Sequence, residues 1–443
     1  MLGEYRIEGR RASEIAASVE RAVGAGELQP GEVLPPLREL AVYLEVNPNT
    51  VASAYRTLRD RGVIETAGRR GSRVRERPAS TPREASWAEI PPGVRNASDG
   101  NPDTALLPPL EKALAVAARR SAERPVLYGA PTIDAELAGL AREAFAADGV
   151  PAGPLAVTSG SLDAIERVLA AHLRPGDVVA VEDPGWGSLL DLIPALGLRP
   201  APVALDDEGP LPEQMARALN DGARAVVVTD RAQNPTGAAV SRRRAAELRS
   251  LLAGHPGVLL IEDDHGHGIV DLPLYPLAGV TDHWALVRST AKAYGPDLRL
   301  AVLTGDAVTV DRVRGRQLLG AGWVSHLLQD AVVHLWRTAA VEPAAVAAAY
   351  GRRRDALIRA LAARGVRARG RSGMNVWVPV PDETGAVSRL LHAGWAVAAG
   401  ARFRMQSPPA VRITVSGLSV DDMDPMAAAV ASAIGSGDAR RYE

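Results

Sequence analysis

The stretch Leu286-Val-Arg-Ser-Thr-Ala-Lys-Ala-Tyr-Gly-Pro-Asp-Leu-Arg-Leu300 carries Lys292 between two apolar runs, 284–289 and 299–304. The lysine is unusual for this chain. Of 51 basic residues only Lys112 and Lys292 are lysines, so arginine supplies positive charge almost everywhere. What arginine cannot supply is a nucleophilic amine. Its guanidinium stays protonated, whereas a desolvated lysine can lose its proton and form an imine with a carbonyl compound. Lys112 sits in the amphipathic run 110–120 and reads as surface charge. Lys292, preceded by small, polar and apolar residues, reads as an imine-forming lysine.

Outward from Lys292, short β-branched runs alternate with helical stretches from about residue 97. The runs at 155–158, 178–182, 225–229, 258–263, 284–289 and 299–304 predict a mostly parallel sheet covered by helices, with ligand groups at the strand ends. Thr158-Ser-Gly-Ser-Leu-Asp passes from strand to helix, where exposed N–H groups and hydroxyls make an anion site. Glu182-Asp-Pro-Gly-Trp186 offers an aromatic face, and Gln233-Asn-Pro-Thr-Gly237 offers an amide just after a strand. Ile261-Glu-Asp-Asp-His-Gly-His267 is the most charged strand end. In extended conformation Asp263, His265 and His267 share one face, so a carboxylate–bis-histidine metal site is a rival to a cofactor site here. Ser289, Lys292 and Arg299 complete the series.

An anion loop, an aromatic plate, an amide, a carboxylate, an amine and an arginine are what a pyridoxal 5′-phosphate site needs. Their order resembles the fold-type I aminotransferases from about residue 97 to the end. The resemblance implies a PLP-dependent transferase fold, with a large α/β domain (about 97–324) and a smaller C-terminal α+β domain (about 325–443). It implies that Ser159, Gly160 and Ser161 cradle the phosphate with Ser289 and Arg299. Trp186 would stack on the pyridine, Asn234 would bond its 3′-oxygen, Asp263 would bond its ring nitrogen and Lys292 would hold the aldehyde. Tyr128, in Leu127-Tyr-Gly-Ala-Pro, would reach a neighbouring subunit's phosphate, and Arg412, in Val411-Arg-Ile-Thr-Val-Ser, would bind a substrate or effector carboxylate. Two positions depart from the pattern. His265 stands where the Glu-Asp-Asp-Tyr pattern has tyrosine, a position from which it would bond the ring oxygen. Ile133 stands where a glycine is expected. Both bear on transamination more than on cofactor binding.

The first 75 residues read differently. Ile15, Ala16, Val19 and Val23 recur at helical spacing and Gly24 and Gly26 end the run. A turn at Pro35-Pro36 precedes a short helix, 37–44, and Asn47-Pro48 then gives an N-cap followed by proline at the first helical position. The helix over 48–60 places Val51, Ala54, Tyr55 and Leu58 on one face. Strands at 63–66 and 73–74 form a wing. Asn49, Thr50, Ser53 and Arg56 would meet base edges, and Arg38, Arg69, Arg70 and Arg73 would meet phosphates. Twelve arginines against ten acidic residues in this segment are too small an excess to argue DNA binding on charge alone. The motifs Gly26-Glu-Leu-Gln-Pro-Gly-Glu-Val-Leu-Pro-Pro-Leu-Arg-Glu-Leu-Ala41 and Asn49-Thr-Val-Ala-Ser-Ala-Tyr-Arg-Thr-Leu58 do more: they resemble the GntR winged helix-turn-helix. Asn47-Pro48 replaces the usual Ser-Arg, removing a common DNA-contacting arginine.

Residues 76–96, with Pro78, Pro82, Pro91 and Pro92, read as an extended connector in which Trp87 and Ile90 are the large apolar groups. There is no cysteine, which excludes disulfides and thiolate metal sites. The net charge is −1 and implies no global attraction to an acidic partner. With no apolar run long enough to span a bilayer and no signal-type start, a cytoplasmic protein without a membrane partner is expected.

A GntR winged helix followed by an aminotransferase-like domain resembles the MocR class of bacterial transcriptional regulators, and within it a branch associated with vitamin B6 metabolism. The class implies a head-to-tail, domain-swapped homodimer, a double-stranded DNA operator and an effector that is pyridoxal phosphate or an amino compound. The alternative is a working aminotransferase with an appended DNA-binding domain.

Overall fold

The computed structural model describes residues 6–25, 27–29, 31–60, 63–66, 71–74 and 90–435. Arg69, Arg70 and Trp87 lie outside them. In the N-terminal unit, helices Ala12–Ala25, Leu37–Tyr43 and Pro48–Asp60 precede strands β1 (Ile64–Thr66) and β2 (Ser72–Val74), paired antiparallel. The expected apolar face is the observed one, with Ile15, Val19, Val51, Ala54, Tyr55 and Leu58 in one core. Asn47 caps its helix, its Oδ1 accepting from the Asn49 N–H at 2.8 Å. The Tyr55 hydroxyl donates to the Pro35 carbonyl at 2.8 Å and pins the preceding turn to this helix.

The turn between the second and third helices contains Glu45 at φ 54°, a left-handed conformation in which a Cβ is crowded. Glycine removes the clash but loosens the unfolded chain, so Glu45→Gly should stabilise this unit by up to about 1 kcal/mol. Thermal melts of the full chain and the variant measure it.

In the larger unit the strands are β3 (Arg95–Ala97), β4 (Leu155–Thr158), β5 (Val178–Asp183), β6 (Arg199–Asp206), β7 (Gly209–Pro210), β8 (Ala223–Thr229), β9 (Leu259–Asp264), β10 (His283–Ser289), β11 (Ala301–Gly305), β12 (Asn375–Pro379), β13 (Trp395–Ala399) and β14 (Ala410–Thr414). Eight of them form one sheet in the order β4-β11-β10-β9-β8-β5-β6-β7. β8, β9 and β10 run parallel, while β11 is antiparallel to both its neighbours. The parallel strands are buried on both faces, which is why they read as continuous apolar runs.

The second sheet, β12-β14-β13-β3, belongs to the small domain. Here the sequence expectation needs correcting. Arg95 and Asn96, placed in the connector, are strand residues: β3 pairs parallel with β13, and Ala97 lies in the small-domain core. The helix His326–Arg337, placed in the small domain, packs on the helices Glu111–Glu123 and Ala135–Ala147 instead. The small-domain core takes Leu357 and Leu361 from the end of the long helix Pro343–Ala362. Long helices cross domain boundaries without any break in their periodicity, so composition gives no signal there.

Candidate functional site

A cavity of about 330 Å³ lies between the strand ends of the large sheet and the small domain, with Ser161, Trp186, Asn234, Asp263, Lys292 and Arg412 in its walls. At one end, Ser161 begins the helix Ser161–His172, and its buried Oγ has no hydrogen-bond partner. Gly160, at φ 104°, lies so close to Arg299 that a Cβ there would come within 3.3 Å of the guanidinium. Arg299, itself left-handed at φ 43°, donates to the Ser159 carbonyl at 2.6 Å. Ser289 Oγ accepts from the Ala291 N–H at 3.1 Å, which leaves its own hydrogen to donate. Two hydroxyls, a helix start and a guanidinium fit a phosphate.

At the other end stands Asp263, 3% exposed. Its Oδ2 is 3.0 Å from His265 Nδ1, and its Oδ1 is buried without a partner. Buried carboxylate oxygens lacking a donor are rare. This one fits a cationic ring N–H. His265 Nε2 lies 2.9 Å from the Ala232 carbonyl, so that nitrogen carries a hydrogen. Both ring nitrogens are therefore engaged. Burial disfavours the charged ring, but the Asp263 charge and hydrogen bond outweigh it and raise the His265 pKa above 6.5. In this geometry His265 braces Asp263 rather than reaching toward a ring oxygen, the role its position implied.

Between the two ends, Lys292 Nζ donates to the Gly100 carbonyl at 2.9 Å. Arg412, on β14, donates to Asn234 Oδ1 at 3.0 Å and to the Ser98 carbonyl at 2.6 Å, with its guanidinium 4.5 Å over the Phe403 ring. Because Arg412 only donates, the Asn234 oxygen must face it, and the Asn234 NH₂ is left as a donor for the cavity. Trp186 is a half-buried wall residue. Gly100 has φ 68°, and a Cβ on it would come within 3.1 Å of Arg412. The 98–101 segment, whose main-chain carbonyls meet both Lys292 and Arg412, was not anticipated. Its turn composition, Ser98-Asp-Gly-Asn-Pro102, was the available signal.

Tyr128 is not in the cavity. It is 94% exposed and stands edge-on to Trp323. In the winged-helix unit Asn49, Ser53, Arg56 and Arg38 are exposed and Thr50 is half-buried. Arg73, expected to meet phosphate, is engaged by Glu65 across the wing, with Nε 2.6 Å from Oε1. That exposed pair is weak and leaves Arg73 little committed. Lys112 is exposed, as surface charge should be.

The metal reading of Asp263, His265 and His267 loses its geometry. β9 ends at Asp264 and the chain turns, so the extended alternation stops. Among the described residues His267 converges with Asp148 and Asp264 instead. Those carboxylates are held by arginines. Arg231 grips Asp264 at 2.9 and 2.7 Å, and Arg288 reaches Asp264 at 3.0 Å and Asp148 at 2.5 Å. Burial and the Arg288 charge push His267 down to about 4.

On the face of β9 opposite Asp263, Asp230 and Glu262 are buried together, and apart from one another neither the Asp230 oxygens nor Glu262 Oε2 has a hydrogen-bond partner. Burial, then the mutual repulsion of the carboxylates, raises Asp230 well above 3.8, and burial raises Glu262 to about 7. Raised folded-state pKa values mean that the native chain retains protons the unfolded chain has released. Stability is therefore fully present below the unfolded carboxylate range and lost as pH climbs from about 4.5 towards 7. Asp230→Asn gives Glu262 a donor and removes the repulsion, so its melting temperature should fall less than that of the parent over this window. Equal slopes for the two proteins would refute the assignment.

The fold and site define the class: residues 96–430 match the aminotransferase class I and II family and residues 11–74 the gntR family of bacterial regulatory proteins. The chain belongs to both, as a gntR-type transcriptional regulator with an aminotransferase-like domain. Among its relatives, the vitamin B6 salvage pathway transcriptional repressor PtsJ of Salmonella typhimurium is 40% identical, over 97% of this chain and 99% of its own. The pyridoxine biosynthesis regulator PdxR of Corynebacterium glutamicum is 28% identical over 63% and 62% of the two chains. A solved aspartate aminotransferase of Thermus thermophilus with maleate is 26% identical, superposing with a TM-score of 0.68 over 77% of this chain and 91% of that one. Among the described residues no helix is long and apolar enough to cross a membrane.

Proposed function

We propose that this regulator binds pyridoxal 5′-phosphate in the cavity, attached to Lys292, and senses the cofactor or its adduct with an amino compound to control vitamin B6 metabolism. The unpartnered Asp263 Oδ1, buried in the wall that also holds Lys292, is the observation that carries the reading. When bound, the cofactor supplies an aldehyde and an electron-withdrawing ring. The chain's own groups do the rest. Ser161, Ser289, Arg299 and the N–H groups of Gly160 and Ser161 bind the phosphate, while the Ser159 N–H is taken by Asp163 Oδ2 at 2.8 Å. Trp186 covers the ring face, Asn234 donates to its oxygen, and Asp263, braced by His265, keeps the ring nitrogen protonated. Arg412 takes the carboxylate of an effector.

Asn49, Ser53 and Arg56 read operator bases and Arg38 meets phosphate. The working form is a cytoplasmic homodimer, paired head-to-tail with domains exchanged. Tyr128, Leu127 and Leu319, 94%, 71% and 90% exposed on the single chain, support a partner surface. A ligand alters DNA binding only by favouring one arrangement of the dimer over another.

A second reading keeps transamination, because Lys292, Asp263 and Arg412 stand together in one cavity. Turnover of an amino acid with a 2-oxo acid, absent in Lys292→Ala, would favour it. No turnover alongside cofactor-dependent DNA binding favours the sensor.

A further inference from the structure

Asp183 closes β5 three residues before Trp186, and no role in binding has been given to it so far. It is 4% exposed, and every polar partner the structure gives it lies on the small-domain loop that leads into β14. Its Oδ1 accepts from the Met405 N–H at 2.9 Å and from the Ser407 hydroxyl at 3.0 Å. Its Oδ2 accepts from the Gln406 and Ser407 N–H groups at 2.7 and 2.9 Å. Two residues on, the Gly185 N–H donates to the Phe403 carbonyl at 2.7 Å. One turn of the large domain thus grips residues 403–407 at five points and then delivers Trp186 to the cavity.

The gripped loop is what sets Arg412. Phe403 lies beneath the guanidinium at 4.5 Å, and Ala410, three residues past Ser407, begins the strand that carries Arg412. Three consecutive backbone N–H groups aimed at one buried carboxylate form a rigid clasp, because opening it strands a charge and its donors together. The small domain holds the same loop from its other side: Glu383 accepts from the Ala401 N–H at 2.8 Å and from Arg404 Nε at 3.1 Å. Asp183 is the large-domain half of this support.

We infer that Asp183 is a positioning residue for the effector carboxylate: it holds the 403–407 loop so that Phe403 and β14 present Arg412 to the cavity. The inference rests on the proposal that Arg412 takes that carboxylate. Because the clasp bears on Arg412 and on none of the phosphate-binding groups, and any shift of Trp186 acts alike on all ligands that carry the ring, its mark is a selective loss for ligands bearing a carboxylate.

The test uses full-length protein and two reduced adducts, N-(5′-phosphopyridoxyl)-L-alanine and N-(5′-phosphopyridoxyl)ethylamine, which differ only in the carboxylate. Arg412→Gln should weaken the alanine adduct and spare the ethylamine adduct. Asp183→Ala should do the same, by about tenfold or more, the equivalent of one lost charge-assisted hydrogen bond. Asp183→Asn, which retains one acceptor oxygen, should fall between Asp183→Ala and the parent and covers the case in which the alanine variant does not fold. Equal weakening of both adducts in the Asp183 variants would reduce the residue to a structural support, and no weakening would remove it from the site; either result overturns the inference while leaving Arg412 its role. If Arg412→Gln itself shows no selectivity, the carboxylate reading fails and the inference falls with it.

Discussion

Lys292→Ala should abolish the visible absorbance that the full-length protein acquires on addition of pyridoxal phosphate, and the cofactor should then wash out on gel filtration. The loss should be complete, because among the described residues no second amine borders the cavity: the chain's other lysine, Lys112, is exposed on a helix remote in sequence. Lys112→Ala should leave the spectrum unchanged. Lys292→Arg is the more demanding variant. It keeps the charge and nearly the length of the side chain in a protein that uses arginine for almost every other cation. A guanidinium does not lose its proton to become a nucleophile, so the band should be lost here too. A persisting band in either Lys292 variant would move the attachment to another group.

Asp263→Asn should weaken cofactor binding by roughly 10- to 150-fold, the equivalent of a charge-assisted hydrogen bond of about 1.5–3 kcal/mol. The substitution preserves shape. An asparagine oxygen can still face His265, but an NH₂ then occupies the place of the Oδ1 that has no partner in the wall. A neutral amide cannot hold the ring nitrogen protonated. It also withdraws the charge that raises His265, whose burial then favours the neutral ring. Equilibrium titration with pyridoxal phosphate measures the change. An unaltered affinity would mean that the buried oxygen does not serve the ring.

Much of this was legible in the sequence, for identifiable reasons. The strand Leu155–Thr158 has the expected limits because glycine and proline precede it and a Ser-Gly-Ser turn follows. The winged-helix core matches because its first and third helices are amphipathic and Asn47 caps the third. Lys292, Asp263, Asn234 and Ser161 meet because each sits at or just beyond a strand end, where side-chain type betrays function, and Arg412 joins them from the middle of β14. β3 was illegible: three residues carry no periodicity, and their partner β13 lies about 300 residues away. The 98–101 segment acts through carbonyls, which every residue has. Asp183 gives no signal in the sequence, since its donors, three backbone N–H groups and the Ser407 hydroxyl, lie more than 200 residues later. His265 and His267 were assigned one face on the assumption that β9 continued. It stops at Asp264, short of both histidines.

The most direct test of the sensor reading is the binding of operator DNA by full-length protein with and without pyridoxal phosphate, using duplexes selected by the protein from a random library. Cofactor should change the affinity or the footprint of the parent and leave Lys292→Ala unaffected. Identical affinity and footprint with and without cofactor in the parent, under conditions where its absorbance shows the cofactor bound, would contradict it.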